Sequence, residues 1–494
     1  MKIIDFKKCS VVLILITPFF MSNCSDLLEP KVYGDLTPET FFGSEADFQN
    51  AVIALYNPFM TDWGTVDEGA RTWYASLYNA DPKTYVMRSI ITTDEMFSPW
   101  VPDFTDFNFG PATLSGFQAS TYAKIRYVAR ATDVIDKIQN SNADVPDEVK
   151  AEYVAEAKAL RAWTMYIMYD FFGPVNVKLD PETLSDSEII PRPTKEEYLS
   201  AMITDLEEAI PNLEDKYNGD ISNWGRVSKG LARMVLLKIY MHEKNWSEAE
   251  RVASDILSMN YQLLDYYPDV FNNEQNNEVI YAVPADESSP NYYTQEIIPS
   301  NFASSGSFVR SPGWYGFWMP WAFYDTFEAG DERLDTILDS YEDSRGRSVN
   351  RSNGLNGAIP LKYTELQGGG PGHSNDQVVY RYADVLLSLA EAINEQRGPT
   401  DAYQYVNQVR SRAELSDWNG LTQSEFRDAI LAERGREFYA EGLRRQDLIR
   451  HGKFIQYAQN RGVSAQDHQI LFPIPQEVIL QGEGIITQNP GYSN

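Results

Sequence analysis

Pairs of amphipathic helices joined by breaks of only a few residues constrain this chain more than any other feature in it. Tyr380, Ala383, Leu386, Leu387 and Ala390 recur at helical spacing and make an apolar stripe that has to be buried. Gly398-Pro399 interrupts it, Thr400 stands where an N-cap belongs, and Ala402, Tyr405, Val406 and Val409 form the next stripe. Two helices joined by so short a break fold back as an antiparallel hairpin. The rhythm returns earlier in the chain, in 122–138 with 154–171, and in 227–241 with Ala249, Val252 and Ile256 after a turn at Asn245-Trp246. Between them the capping box Thr194-x-x-Glu197 starts a helix carrying Leu199, Met202, Ile203, Leu206 and Ile210. The pattern predicts a mainly α fold, a tetratricopeptide-like helical-hairpin scaffold whose stacked pairs share one core.

A last helix opens at the capping box Thr422-x-x-Glu425, with Phe426, Ile430 and Phe438 on its apolar side. Its other faces carry Glu433, Arg434, Arg436, Glu437, Glu441, Arg444, Arg445 and Asp447. On charge pattern this reads as a solvated helix laced by local pairs, Glu433 with Arg436 and Glu441 with Arg444 or Arg445.

Two stretches break the helical order, 61–118 and 277–372. Gly, Pro, Asp and aromatics dominate the first, with Trp63, Trp73, Tyr74, Tyr78, Tyr85, Trp100, Phe104 and Phe107. The second offers a short strand at 278–283 and then the run Gly313-Trp314-Tyr315-Gly316-Phe317-Trp318-Met319-Pro320-Trp321. Segments so long and so aromatic inside a compact protein are functional insertions rather than disordered linkers. Trp or Tyr can lie flat on the C–H face of a sugar ring while Asp, Asn, Gln or Arg bonds its hydroxyl rim, and rigid rings lose little entropy in doing so.

The residues point away from catalysis. The formal net charge of -29 argues against nucleic acid or anionic lipid headgroups as direct partners. The two cysteines, Cys9 and Cys24, both precede the globular part, which leaves it without a disulfide, a thiolate metal site or a cysteine nucleophile. His242, His373, His451 and His468 stand far apart in no zinc-binding spacing, and each reads as a surface or packing residue. The glycines at 368–372 lack the partners of a phosphate loop. No cofactor or metal is expected. Carboxylates are abundant enough for a glycosidase pair, but abundance carries no spacing signal.

Lys2, Lys7 and Lys8 precede the apolar run 11–20, the core of a signal peptide. Met21-Ser22-Asn23-Cys24 resembles a lipobox, departing from the usual pattern at Met21 and Asn23, and places an acylated Cys24 at the start of the mature chain.

Several motifs in one order carry a family resemblance. Arg381-Tyr382-Ala383-Asp384-Val385-Leu386-Leu387, then Val406-Asn407-Gln408-Val409-Arg410, then Glu433-Arg434-Gly435-Arg436-Glu437-Phe438 with Gly442-Leu443-Arg444-Arg445-Gln446-Asp447, resemble the C-terminal signature of the SusD-like (RagB-type) nutrient-binding lipoproteins. Leu471-Phe472-Pro473-Ile474-Pro475 and Gln488-Asn489-Pro490-Gly491-Tyr492 look like that family's terminal segment. The resemblance implies a signal peptide over 1–23 and one SusD-like domain over 24–494, with an N-terminal part over 24–276 and a C-terminal part over 277–494. It implies a lipid-anchored protein on the cell-surface side of the outer membrane, not an enzyme, that captures a glycan for a SusC-like TonB-dependent transporter. Sugar-contacting aromatics in the family come from a loop after a Thr-Asp-Glu segment and from a second loop in the C-terminal half. Here Thr93-Asp94-Glu95 is followed by Trp100 and Asp103, and the second loop is Trp314-Tyr315, with Trp318 or Trp321 able to fill the role equally well. A peptide or other nutrient as cargo, and a surface glycoside hydrolase, are the alternatives.

Overall fold

The computed structural model describes residues 42–60, 76–114, 121–303, 313–368 and 372–493. The 1–23 segment, Cys24, Trp63, Trp73 and Tyr74 lie outside these residues.

Helix α1 (Glu45–Ile53) starts at Ser44, whose hydroxyl accepts from the Asp47 N–H. Helix α2 (Tyr85–Ile91) is short and wholly buried. Helices α3 (Ile125–Gln139) and α4 (Asp147–Phe172) form the first long pair. Gly173 ends α4 at φ 70, in the left-handed region that stops a helix cheaply only when no Cβ is present. Trp163, deep in α4, stacks on Phe59 with ring centroids 4.1 Å apart and meets Tyr281 edge-on at 5.2 Å. Helix α5 (Lys195–Ala209) begins at the expected Thr194–Glu197 capping box and lies along α4. Helices α6 (Lys229–His242) and α7 (Trp246–Leu257) form the next pair, the Asn245 side chain capping α7. One turn of helix, α8 (Tyr293–Ile297), interrupts the second insertion. Helix α9 (Tyr382–Arg397) then packs on α7, on α10 (Tyr403–Arg412) and on α11 (Gln423–Glu437). Helix α12 (Arg444–Arg450) closes the series against α11 and α2.

The strand expected at 278–283 is present as β1 (Val279–Val283), antiparallel to β2 (Gln377–Arg381), with Val279 opposite Arg381. All ten residues are buried, as a strand pair covered on both faces requires. Tyr380 therefore belongs to this strand and not to the helical stripe. The run Gln377-Val378-Val379-Tyr380 is rich in residues that suit a pleated surface, and α9 begins only after the extended Arg381. Thr400 is not the N-cap of α10 either. The Ala402 N–H donates to Pro399 O at 2.9 Å, so 399–402 closes as a turn and Ala402 precedes the first helical residue.

The charged faces of α11 and α12 are not solvated. Glu433 and Glu437 are 0% exposed and Arg434 is 1% exposed. Of the local pairs, Glu433–Arg436 forms at 2.6 Å. Glu441 turns instead to Lys362 at 2.7 Å and Arg381 at 2.8 Å, and Arg445 pairs with Asp170 at 3.0 Å. Arg333 is held by Asp331, Glu433 and Glu437, and Arg381 by Glu278, Glu437 and Glu441. Desolvated charges persist only when opposite charges are supplied at close range, and here two insertions and β2 bring many of them from far along the chain. Burial alone would raise the Glu433 carboxyl, yet Arg333 and Arg436 outweigh it and hold the group down at about 2.

Candidate functional site

The first insertion is tied to the scaffold just ahead of Trp100. Beyond α2 the Thr93 hydroxyl donates to Ile90 O at 2.6 Å, and Asp94 takes both arms of Arg444 at 2.9 Å each, fixing this loop to α12. Glu95 is buried with neither oxygen hydrogen-bonded, and burial pushes its carboxyl well above the usual range. Phe97 then pairs with Trp318 across an antiparallel bridge, its N–H donating to Trp318 O at 2.9 Å and its carbonyl accepting from the Trp318 N–H at 3.2 Å. Backbone pairing thus joins the two insertions more than two hundred residues apart in the chain.

The second insertion is cradled by α8. The N–H of Trp314 donates to Gln295 O at 2.8 Å, that of Tyr315 to Ile298 O at 3.1 Å and that of Gly316 to Glu296 O at 2.6 Å. So close an approach needs glycine at its start, because a Cβ on Gly313 would lie 1.9 Å from Ile298 O. Tyr315 sits at φ 51, a costly conformation for an aromatic residue of the kind that gathers at functional sites. A Cβ on Gly316 would stand 2.6 Å from Trp100 Cζ3 and 2.8 Å from its Cη2, so the Trp100 ring lies directly on the bare Gly316 backbone.

Two exposed indole rings stand at this junction. Trp100 is 46% and Trp314 40% exposed, the two exposed tryptophans among the described residues. Trp314 stacks on Tyr292 with planes 12° apart and centroids at 6.2 Å, and Trp100 tilts over buried Phe317 at 6.3 Å. Half-buried Trp318 is sandwiched by Tyr315 at 5.3 Å and Phe97 at 5.1 Å. Trp100, Trp314, Tyr315 and Trp318 are therefore neighbours. Asp103 is exposed on the single turn Pro102–Thr105, three residues beyond Trp100, and nothing among the described residues ties its carboxylate to the aromatic group. Trp321 faces other company, donating to Leu355 O at 3.2 Å beneath the Arg351 guanidinium.

Tyr292 and Phe97 are the members that the sequence reading passed over. Neither stands in a conspicuous motif, and each joins through a contact made far along the chain. The histidines have packing roles: His373 is buried beside Tyr363, His451 meets Glu391 at 3.0 Å and His468 lies edge-on to Tyr492. Among the described residues no group of three or more His, Cys, Asp or Glu is arranged to hold a metal ion.

The sequence profile of the SusD family matches residues 339–492, which contain all of the C-terminal motifs named above. SusD-like protein P25 of Formosa agariphila is 26% identical, the match covering 96% of this chain and 97% of that protein. The starch-binding protein SusD of Bacteroides thetaiotaomicron is 22% identical over 86% of this chain and 87% of its own. Among solved structures, a laminarin-binding SusD-like protein superposes with a TM-score of 0.74 at 21% identity, covering 91% of this chain and all of the other. Surface glycan-binding protein A of Bacteroides thetaiotaomicron, in complex with laminarihexaose, gives a TM-score of 0.71 at 23% identity over 90% of this chain and 99% of that one. With the helical fold of those structures, the SusD family's profile in its C-terminal third and SusD-like relatives at 26% identity or less along nearly its whole length, this chain is similar to the SusD-like proteins.

Proposed function

We propose that the protein is a surface glycan-binding lipoprotein, anchored in the outer membrane through Cys24, that captures an oligo- or polysaccharide and passes it unaltered to a SusC-like TonB-dependent transporter. The observation that carries the reading is the meeting of two insertions in one aromatic surface with Trp100 and Trp314 held outward. Rings pinned by stacking and backbone bonds offer flat apolar area at little entropic cost, which is what a sugar face needs. The laminarihexaose bound by one similar structure and the starch and laminarin binding of other SusD-like proteins support a glycan as cargo. Residues 24–494 act in this reading as one unit, the hairpins as scaffold and the insertions as capture site.

The test is retention of the chain lacking residues 1–23 in gels containing starch, laminarin and a panel of other polysaccharides. Retardation by at least one glycan, lost in Trp100→Ala and Trp314→Ala, is the expected result. Binding of peptides with no retardation by any glycan would assign the same surface to a peptide cargo, and release of reducing ends from a bound glycan would make the protein an enzyme.

A further inference from the structure

Helix α8 carries at its fourth position a glutamate that the glycan reading leaves unused. Glu296 is 0% exposed, and neither side-chain oxygen has a hydrogen-bond partner. Its backbone carbonyl holds the Gly316 N–H, and its Oε2 lies 2.9 Å from the point where a Gly316 Cβ would stand, the point that Trp100 Cζ3 approaches to 2.6 Å. The carboxyl and the indole ring therefore meet at one bare Cα, the ring on the solvent side and the acid behind it.

The charged groups that face Glu296 come from the loop ahead of α2. Asp81 lies there with one oxygen accepting from the Lys83 N–H at 2.8 Å and the other 3.9 Å from the Lys83 ammonium. Burial first, and then the negative charge of Asp81, push the Glu296 carboxyl up to about 9, with Lys83 opposing. A buried acid without partners is tolerable only while neutral.

We propose that Glu296 is the positioning residue of the aromatic surface: protonated, it seats the Trp100 ring against Gly316, and on losing its proton it turns toward water and unseats that ring. The proposal rests on the reading of the Trp100–Trp314 surface as the capture site. Its sign follows from linkage. Seated, the carboxyl keeps its proton far above the pH at which a solvated glutamate loses it, about 4.3. Each pH unit from there up to the seated value favours the unseated state by up to about tenfold, and beyond that value the effect levels off. Seating is thus complete at the acid end and is lost as pH rises.

The test needs no ligand in its first arm. Acrylamide quenching of tryptophan fluorescence is followed from pH about 5 to about 9.5 in the chain lacking residues 1–23, in Trp100→Phe and in Glu296→Gln. The wild type is expected to gain a quenchable component as pH rises, Trp100→Phe to lack that gain, and Glu296→Gln to show a flat profile. If the glutamine variant fails to fold, Glu296→Met, of similar length and unable to ionise, takes its place with the same expectation. An unchanged gain in the Glu296 variants, as ionisation elsewhere would produce, or no gain in the wild type, overturns the proposal. In the second arm laminarihexaose binding is expected to weaken at least about threefold between pH 6 and pH 9 in the wild type, with that ratio collapsing toward one in the variant. Absence of laminarihexaose binding at every pH bears on the glycan reading, while the fluorescence arm still decides the role of Glu296.

Discussion

At Trp100 and Trp314 large apolar rings are left in water, whereas Trp163 is 1% exposed. Each ring is 40–46% exposed, so removing it deletes less packing than removing a core ring such as Trp163 would. Trp100→Ala and Trp314→Ala are each expected to weaken glycan binding by about 1–3 kcal/mol, the scale of a lost anchor residue, with little change in melting temperature. A collapse in stability would put that ring in the core. Gly316→Ala probes the platform from behind. The new methyl would stand 2.6 Å from the Trp100 ring and push it aside, so affinity by calorimetry should fall toward that of Trp100→Ala although no ring is missing. Much of this surface was legible in the sequence, because aromatics crowded into stretches without helical period have no core stripe to join. Tyr292 and Glu296 were not legible. Their roles exist only once α8 brings Trp314 and Gly316 beside it through three backbone hydrogen bonds, and no local pattern encodes that.

Among the elements, α11 is where sequence and structure part most sharply. Its capping box and its apolar residues Phe426 and Ile430 are as the periodicity implies, since capping and burial are local matters. Its charges are a long-range matter. Glu433 and Arg436 satisfy the i,i+3 rule, but so would an exposed pair, and the partners that reveal burial lie as far off as Asp94 for Arg444 on α12. Breaking such a network strands the remaining charges out of water, so Arg333→Ala or Glu437→Ala should lower stability by about 3–5 kcal/mol in denaturant titrations. Removing the exposed Arg251–Glu248 pair of α7, at 2.8 Å, should cost no more than about 1 kcal/mol. The network also sets the response to acid. Glu433 is held at about 2, below its unfolded value, and Glu437 is held low against the cost of burial by Arg412, Arg381 and Arg333. A depressed carboxyl adds stability that is complete above the unfolded pKa, about 4.3, and is lost as pH falls toward the folded one. The stability that these two carboxylates add, read as the melting temperature relative to that of Glu433→Gln, should therefore hold above pH about 5 and drop progressively from there to about 2. A profile flat across that range would mean that these pairs add nothing.

Taken as a whole, the molecule separates load from contact. Stacked helices and their buried ion pairs hold the frame, while the insertions, joined by the Phe97–Trp318 bridge, carry the aromatic residues proposed for capture. In the proposed role the protein has to stay at the membrane where a transporter can receive the cargo, and the lipobox resemblance would give that task to Cys24 after the apolar run 11–20. Each buried acyl CH₂ contributes about 0.8 kcal/mol, so a lipobox cysteine carrying more than one chain gives an anchor that does not exchange on the time scale of uptake. With a net charge of -29 the chain is repelled by anionic headgroups, and any attraction to the bilayer has to be hydrophobic. Cys24→Ala, expressed in cells that lack a transporter partner, is accordingly expected to move the protein from the membrane pellet to the soluble fraction, with glycan retention on gels unchanged. High-salt washing separates the cases: a variant that stays in the pellet through the wash is held by something other than Cys24, and the anchor assignment then falls while the capture surface stands.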